Sequence, residues 1–209
     1  MRAVIFDLDG TLIDSAPDIA AVVNRVLAAD GLAPHSLEAV RGMIGDGAKQ
    51  LLERAFAAHG VRAEPRHLAA FLVDYNANPV VETVAYAGIP PVLAELREAG
   101  HPLGVCTNKP IGPALKILDA LDLAAFFGTV VGGDSTPYKK PDPRHLAAAL
   151  AGLEVGEAVM IGDHDNDMLA AAGLGLPGIF ATWGYGQTEA VLTAHTPLDL
   201  PELIARLEG

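Results

Sequence analysis

Short apolar runs recur along the chain at residues 4–6, 103–106, 129–131, 159–161 and 178–181, each closed by a polar or glycine-bearing turn. Runs this short, apolar without alternation and rich in β-branched residues, predict strands buried on both faces. Between them apolar side chains return at helical spacing, as at Val92, Leu93 and Leu96 ahead of Gly100, at Leu115, Leu118 and Leu121, and through 146–153. Strand followed by helix, repeated, predicts an α/β fold with a doubly wound parallel sheet, its faces covered by the helices.

The rhythm breaks between residues 15 and 82. Four helical patterns lie there, at 19–29, 37–43, 48–59 and 65–75, and no strand is legible. The segment therefore reads as an all-helical cap, 15–82, inserted between the first and second strands of a core made of 1–14 and 83–209. Loops at 14–17 and 78–84 would be its two connections, and a double crossing between two bodies makes a natural hinge.

With 209 residues and 51% hydrophobic content the chain is large enough for a real core. Charge changes the picture more: 26 acidic against 14 basic side chains leave a net charge of -12. Such a surface repels nucleic acid, and no basic amphipathic stretch invites an anionic membrane. The one cysteine, Cys106, excludes an intrachain disulfide, and no run of eighteen apolar residues occurs, so the sequence predicts a cytoplasmic protein. To handle a small anion, a protein this acidic must gather positive charge locally, from a metal ion, a placed lysine or helix N-termini.

Ligands of open parallel sheets bind beyond the carboxyl ends of the strands, so those ends are where chemistry is expected. The first strand ends in Asp7-Leu8-Asp9-Gly10-Thr11, where alternation points Asp7 and Asp9 the same way and Gly10 lets the backbone turn. The second ends in Cys106-Thr107-Asn108-Lys109, offering a hydroxyl and an amide to an anion. Lys140 sits in Tyr138-Lys139-Lys140-Pro141-Asp142-Pro143, at a helix entrance. Further on, Gly162-Asp163-His164-Asp165-Asn166-Asp167 again sets carboxylates at a strand end. Each string alone also fits an ordinary turn, a solvated lysine or a helix cap. Asp163, Asp165 and Asp167 are not a calcium loop, since Met168 replaces the required glycine and Leu174 the closing glutamate. No phosphate-binding G-x-x-x-x-G-K-[ST] string is present.

Taken in order, these four strings resemble the motifs of the haloacid dehalogenase superfamily, and the match spans nearly the whole chain. The resemblance implies Asp7 as nucleophile, Asp9 as acid and base, Thr107, Asn108 and Lys140 as phosphoryl ligands, and magnesium held by Asp7, the Asp9 carbonyl and Asp163. Asp167 would orient Lys140 or a metal-bound water. A neighbouring carboxylate and partial burial would keep Asp9 protonated when substrate arrives. Asp9 also disfavours dehalogenation, which lacks a carboxylate there. Lys49, the only lysine in 15–82, is a weak candidate for a Schiff-base residue and equally a surface residue.

The stretch from Val40-Arg41-Gly42-Met43-Ile44-Gly45-Asp46-Gly47-Ala48 to Ala55 resembles phosphoglycolate phosphatases, as do Gly132-Gly133-Asp134-Ser135 and Trp183-Gly184-Tyr185-Gly186. That resemblance implies a small phosphorylated metabolite as partner, with Arg41 or backbone N–H groups near Gly45 and Gly47 on its carboxylate. Arg41 on a solvated helical face is the alternative. Another small phosphate, a mutase reaction on a sugar phosphate, and a phospho-accepting regulatory module also remain open. His164, where many relatives carry Ser, reads as a hydrogen-bonded neighbour of the site; Asp165 inherits no role, and Cys106 reads as a packed core residue.

Overall fold

The computed structural model describes residues 2–153, 156–187 and 192–207. Strand β1 (Ala3–Phe6) leads to the short β2 (Ile13–Asp14), and four helices follow: α1 (Ala16–Ala29), α2 (Leu37–Arg41), α3 (Ala48–Ala57) and α4 (Pro65–Ala77). After β3 (Val84–Ala85) come α5 (Ile89–Glu98), β4 (Leu103–Cys106), α6 (Ile111–Ala120), β5 (Thr129–Val131) and α7 (Pro143–Ala151). The chain continues through β6 (Ala158–Gly162), α8 (Asp165–Gly173), β7 (Gly178–Ala181), β8 (Thr193–Ala194) and α9 (Leu200–Arg206). The outer bounds expected for the core, residues 1 and 209, lie outside the described residues.

Six strands form one parallel sheet in the order β5-β4-β1-β6-β7-β8. Every residue of β1, β4 and β6 is buried, which is why these strands read as unbroken apolar runs. The chain winds outward from β1 to β5, then returns to the far side of β1 and winds the other way. This reversal opens a crevice between the ends of β1 and β6, where ligands bind such sheets.

The helical segment packs on itself, with α1 against α2, α3 and α4. Val23, Leu27, Val40, Leu52, Phe56 and Phe71 fill its interior; each large side chain buried this way is worth about 1.5–3 kcal/mol. Its two ends meet in a ribbon missing from the sequence reading, where β2 and β3 pair antiparallel with Asp14 opposite Val84. Beside it, buried Asp18 accepts from the N–H groups of Val81, Glu82 and Thr83 and from the Thr83 hydroxyl at 2.6 Å, tying the returning chain to α1. Although burial opposes that charge, the Thr83 hydroxyl and those N–H groups hold the Asp18 carboxyl below its usual range.

Some boundaries move from their sequence-based positions, for local reasons. Helix α8 begins at Asp165 rather than near Met168, because the His164 ring accepts from Asn166 N–H and Asp167 reaches back to the His164 N–H. Helix α7 starts at Pro143, whose missing N–H costs nothing in a first turn, under an Asp142 cap. Strand β8 and helix α9 were not anticipated.

Candidate active site at the strand ends

Asp7 leaves the end of β1 with its N–H bonded to Ile161 O of β6 at 2.8 Å, so the sheet itself aims the residue into the crevice. From the other side, the end of β6 delivers Asp163, and the first turn of α8 delivers Asp167. Carboxylate oxygens of Asp7, Asp163 and Asp167 all lie within 4.8 Å of one another, and the three residues are buried. Lys140 inserts its ammonium among them, 2.8 Å from Asp7 Oδ1 and 2.6 Å from Asp167 Oδ1, with a side chain only 1% exposed. Asp163 is fixed by the Thr11 hydroxyl, donating at 3.0 Å, and by the Tyr185 N–H at 2.7 Å. Close approach explains two glycines here: a Cβ on Gly10, whose φ is +81°, would fall 2.1 Å from Asp163 Oδ2, and one on Gly184 2.3 Å from Asp163 Cβ.

Three buried carboxylates face one ammonium. Burial, and then the Asp7 charge, push the Asp163 carboxyl up to about 7, against the pull of the Tyr185 N–H and Thr11 hydroxyl. Burial likewise raises Asp167 to about 8, with Lys140 acting in the opposite sense. For Lys140 burial disfavours the charge, yet Asp167 and Asp7 push its pKa up. Asp7 Oδ1, near Lys140 but out of hydrogen-bond alignment, has no hydrogen-bond partner. A cluster of excess negative charge, all-oxygen donors and an orphaned carboxylate oxygen fits a hard divalent cation.

A pH dependence follows. Between its ordinary 3.8 and about 7, Asp163 is protonated in the folded protein and ionised in the unfolded one. Folding then takes up a proton, so stability from this group is present at low pH and falls as pH rises through that window. The melting temperature of the chelated protein is expected to drop from pH 5 to pH 8, and a divalent cation to recover most of the loss. A flat metal-free profile in thermal melts would contradict this charge balance.

Next to this cluster, a cavity of about 50 Å³ is lined by Asp7, Asp9, Thr107, Asn108 and Lys109 from the sheet side and by Gly45, Gly47 and Ala48 from the helical segment. Asp9 is held differently from expectation. Lys109 Nζ donates to both its oxygens, at 2.7 and 2.9 Å, and the Ser15 hydroxyl donates to Oδ1, so its nearest charged partner is a cation and not a second carboxylate. Lys109 was not singled out from sequence; its place directly after Thr107-Asn108 was the available signal. His145, also overlooked, is buried with Nε2 3.1 Å from Thr107 O and braces that turn.

The other expected residues divide. Asn108 braces rather than points outward: its amide donates to Gly45 O and Lys140 O, both at 3.0 Å, and accepts from Lys140 N–H. This clips the 44–47 loop over the cavity, where Asn166 also donates to Asp46 and Gly45 packs on the His164 ring. Arg41 is not brought to Asp7. It pairs with Asp14 at 2.9 Å and lines a separate cleft with Glu38, Tyr86, His164, Trp183 and Tyr185. Lys49 is exposed and faces Glu53. The Cys106 thiol, pushed up to about 12 by burial, packs in the core.

A haloacid dehalogenase-like hydrolase family model matches residues 1–175. A phosphoglycolate phosphatase of Caulobacter vibrioides is 42% identical over 95% of this chain and 89% of its own length. Another, from Cereibacter sphaeroides, is 38% identical over 99% of both chains. Among solved structures, a predicted phosphoglycolate phosphatase from Haemophilus somnus superposes with a TM-score of 0.89 at 27% identity, covering 98% of each chain. Asp7 and Asp163 at neighbouring strand ends, with Lys140 reaching them from the loop before α7, therefore have an established setting: the chain belongs to the haloacid dehalogenase-like hydrolase family.

Proposed function

We propose that this protein is a magnesium-dependent phosphatase that hydrolyses a small phosphate monoester, 2-phosphoglycolate, to glycolate and phosphate. The observation that carries the reading is that Asp7 and Asp9 line one small cavity beside a buried three-carboxylate cluster. Similarity to phosphoglycolate phosphatases over nearly the full chain supports the choice of ester.

In this reading an Asp7 oxygen attacks phosphorus in line, forming a phosphorus–oxygen bond as the bond to the ester oxygen breaks. Asp9 gives its proton to the departing glycolate oxygen. A water then attacks phosphorus, Asp9 takes that water's proton, and the bond to Asp7 breaks to release phosphate. Lys140 and the Thr107 hydroxyl hold the non-bridging phosphoryl oxygens, and Asp167 keeps Lys140 aimed. Asp7, Asp163 and the Asp9 carbonyl would hold magnesium, which supplies charge neutralisation for the phosphoryl group. Residues 15–82 act as a cap on the core formed by 1–14 and 83–209, and the loop at 44–47 excludes water during the reaction. Among the described residues no helix is long and apolar enough to cross a membrane, and the buried Cys106 suits a reducing cytoplasm.

The test is magnesium-dependent phosphate release from 2-phosphoglycolate, hexose phosphates, glycerol phosphate, pyrophosphate and nucleotides. We expect a kcat/KM for 2-phosphoglycolate at least about 10-fold above every other compound. Preference for another ester would leave the chemistry standing and remove the substrate assignment.

A further inference from the structure

A carboxylate entering a small, partly enclosed cavity must find a cation, because an unpaired buried charge is strongly disfavoured. Lys140 is committed to Asp7, Asp167 and the phosphoryl group. Arg41 faces Asp14 in another cleft, Arg54 is paired with Asp46, Lys49 is exposed, and the exposed Lys139 lies against Gly47 without lining the cavity. Lys109 is different: it lines the cavity with Asp7 and Asp9, and its side chain is 4% exposed. Two of its three N–H donors reach Asp9, and its ammonium lies 4.7 Å from the centre of the Tyr75 ring of α4. The buried Tyr75 hydroxyl interacts with that ammonium as well, so ring and hydroxyl together hold Lys109 in place.

Lys109 also follows Thr107 by two residues in the same turn. One turn therefore brings a hydroxyl and an ammonium to the same small cavity, the two groups needed by a substrate whose carboxyl carbon is only two bonds from the ester oxygen. Ile19, Ile44, Leu51 and Phe71 wall the remaining side, leaving little room for anything longer.

We propose that Lys109, held in place by Tyr75, recognises the carboxylate of the substrate and sets the preference for carboxylated phosphate esters. The inference rests on the 2-phosphoglycolate reading above. It has a mechanistic corollary: a carboxylate drawn to Lys109 competes with Asp9 for the ammonium, so binding of the correct substrate loosens the pair that holds Asp9.

The experiment compares 2-phosphoglycolate with ethyl phosphate, which lacks the carboxylate, in the unmodified protein, Lys109→Met and Tyr75→Phe. Lys109→Met releases Asp9 and so slows both esters, but it should lower kcat/KM for 2-phosphoglycolate by about 20-fold more than for ethyl phosphate; Tyr75→Phe should cost about 10-fold more on the first substrate than on the second. Calorimetric binding to Asp9→Asn protein, with and without Lys109→Met, removes the influence of Asp9. There the second change should weaken 2-phosphoglycolate by about 30-fold and leave inorganic phosphate unaltered. Equal losses on both substrates, or selectivity retained by Lys109→Met, overturn the inference and leave the substrate reading intact. No preference for 2-phosphoglycolate in the unmodified protein would remove the substrate reading and this inference with it.

Discussion

Asp7→Asn is expected to leave a folded protein whose magnesium-dependent phosphate release has fallen by about 10,000-fold or more. The amide fills the same space at the end of β1, and the backbone bond to Ile161 that positions the residue does not involve the side chain. What disappears is the anionic oxygen that would bond to phosphorus. The same change removes one of three carboxylates crowded around a single ammonium, so the metal-free variant should be at least as stable as the parent protein. Two readouts are needed, phosphate release and thermal melting, together with hydroxylamine trapping of the acyl phosphate in the parent protein. Substantial turnover by Asp7→Asn would overturn the nucleophile assignment, whereas lost activity accompanied by lost folding would say nothing for it.

Lys140→Met should be damaging in a different way. Removing one partner of a buried ion pair costs about 3–5 kcal/mol, since the remaining charge stays desolvated, and here both Asp7 and Asp167 lose their cation. The penalty should be largest near pH 8 without metal and smaller near pH 5, where Asp163 and Asp167, already raised to about 7 and about 8, take up protons. Activity should fall by roughly 1,000-fold, reflecting the lost charge on the phosphoryl oxygens. Urea unfolding at both pH values, in chelator and then in magnesium, checks the first part. A cost below about 1 kcal/mol at pH 8 would contradict a buried, charged Lys140.

The parallel core was legible because every central strand is buried on both faces. That requirement forces contiguous apolar residues, and the polar strings that interrupt them mark the strand ends. By contrast β2, β3 and β8 are two residues each, too short to show any periodicity. The start of α8 was hidden because its first turn is polar: Asp165, Asn166 and Asp167 serve capping and charge placement, so they carry no apolar face. The chemistry followed the same division. Asp7, Asp163 and Asp167 lie at strand ends or in the first turn beyond one, where the polar strings are visible, while their meeting with Lys140 was legible only through the order of the four motifs and the family they resemble. Long or amide side chains were less readable: Arg41 turned to Asp14, Asn108 became a brace between Gly45 and Lys140, and Lys109 reached Asp9 across about 100 residues of chain. Tertiary packing decides the direction of such side chains, and a one-dimensional pattern records little of it.

The antiparallel β2–β3 ribbon has a consequence for how such a molecule can change over evolutionary time. Outgoing and returning chains pass on a ladder of two rungs that ends with Asp14 opposite Val84, so the segment between them starts and finishes at nearly the same point in space. Any compact piece with adjoining ends could be grafted there without stretching a single connection in the parallel sheet. The reaction groups at the strand ends would stay put, while the wall facing the substrate was replaced wholesale. Diversification of substrate range in a scaffold like this needs no alteration to the residues that break the phosphorus–oxygen bond.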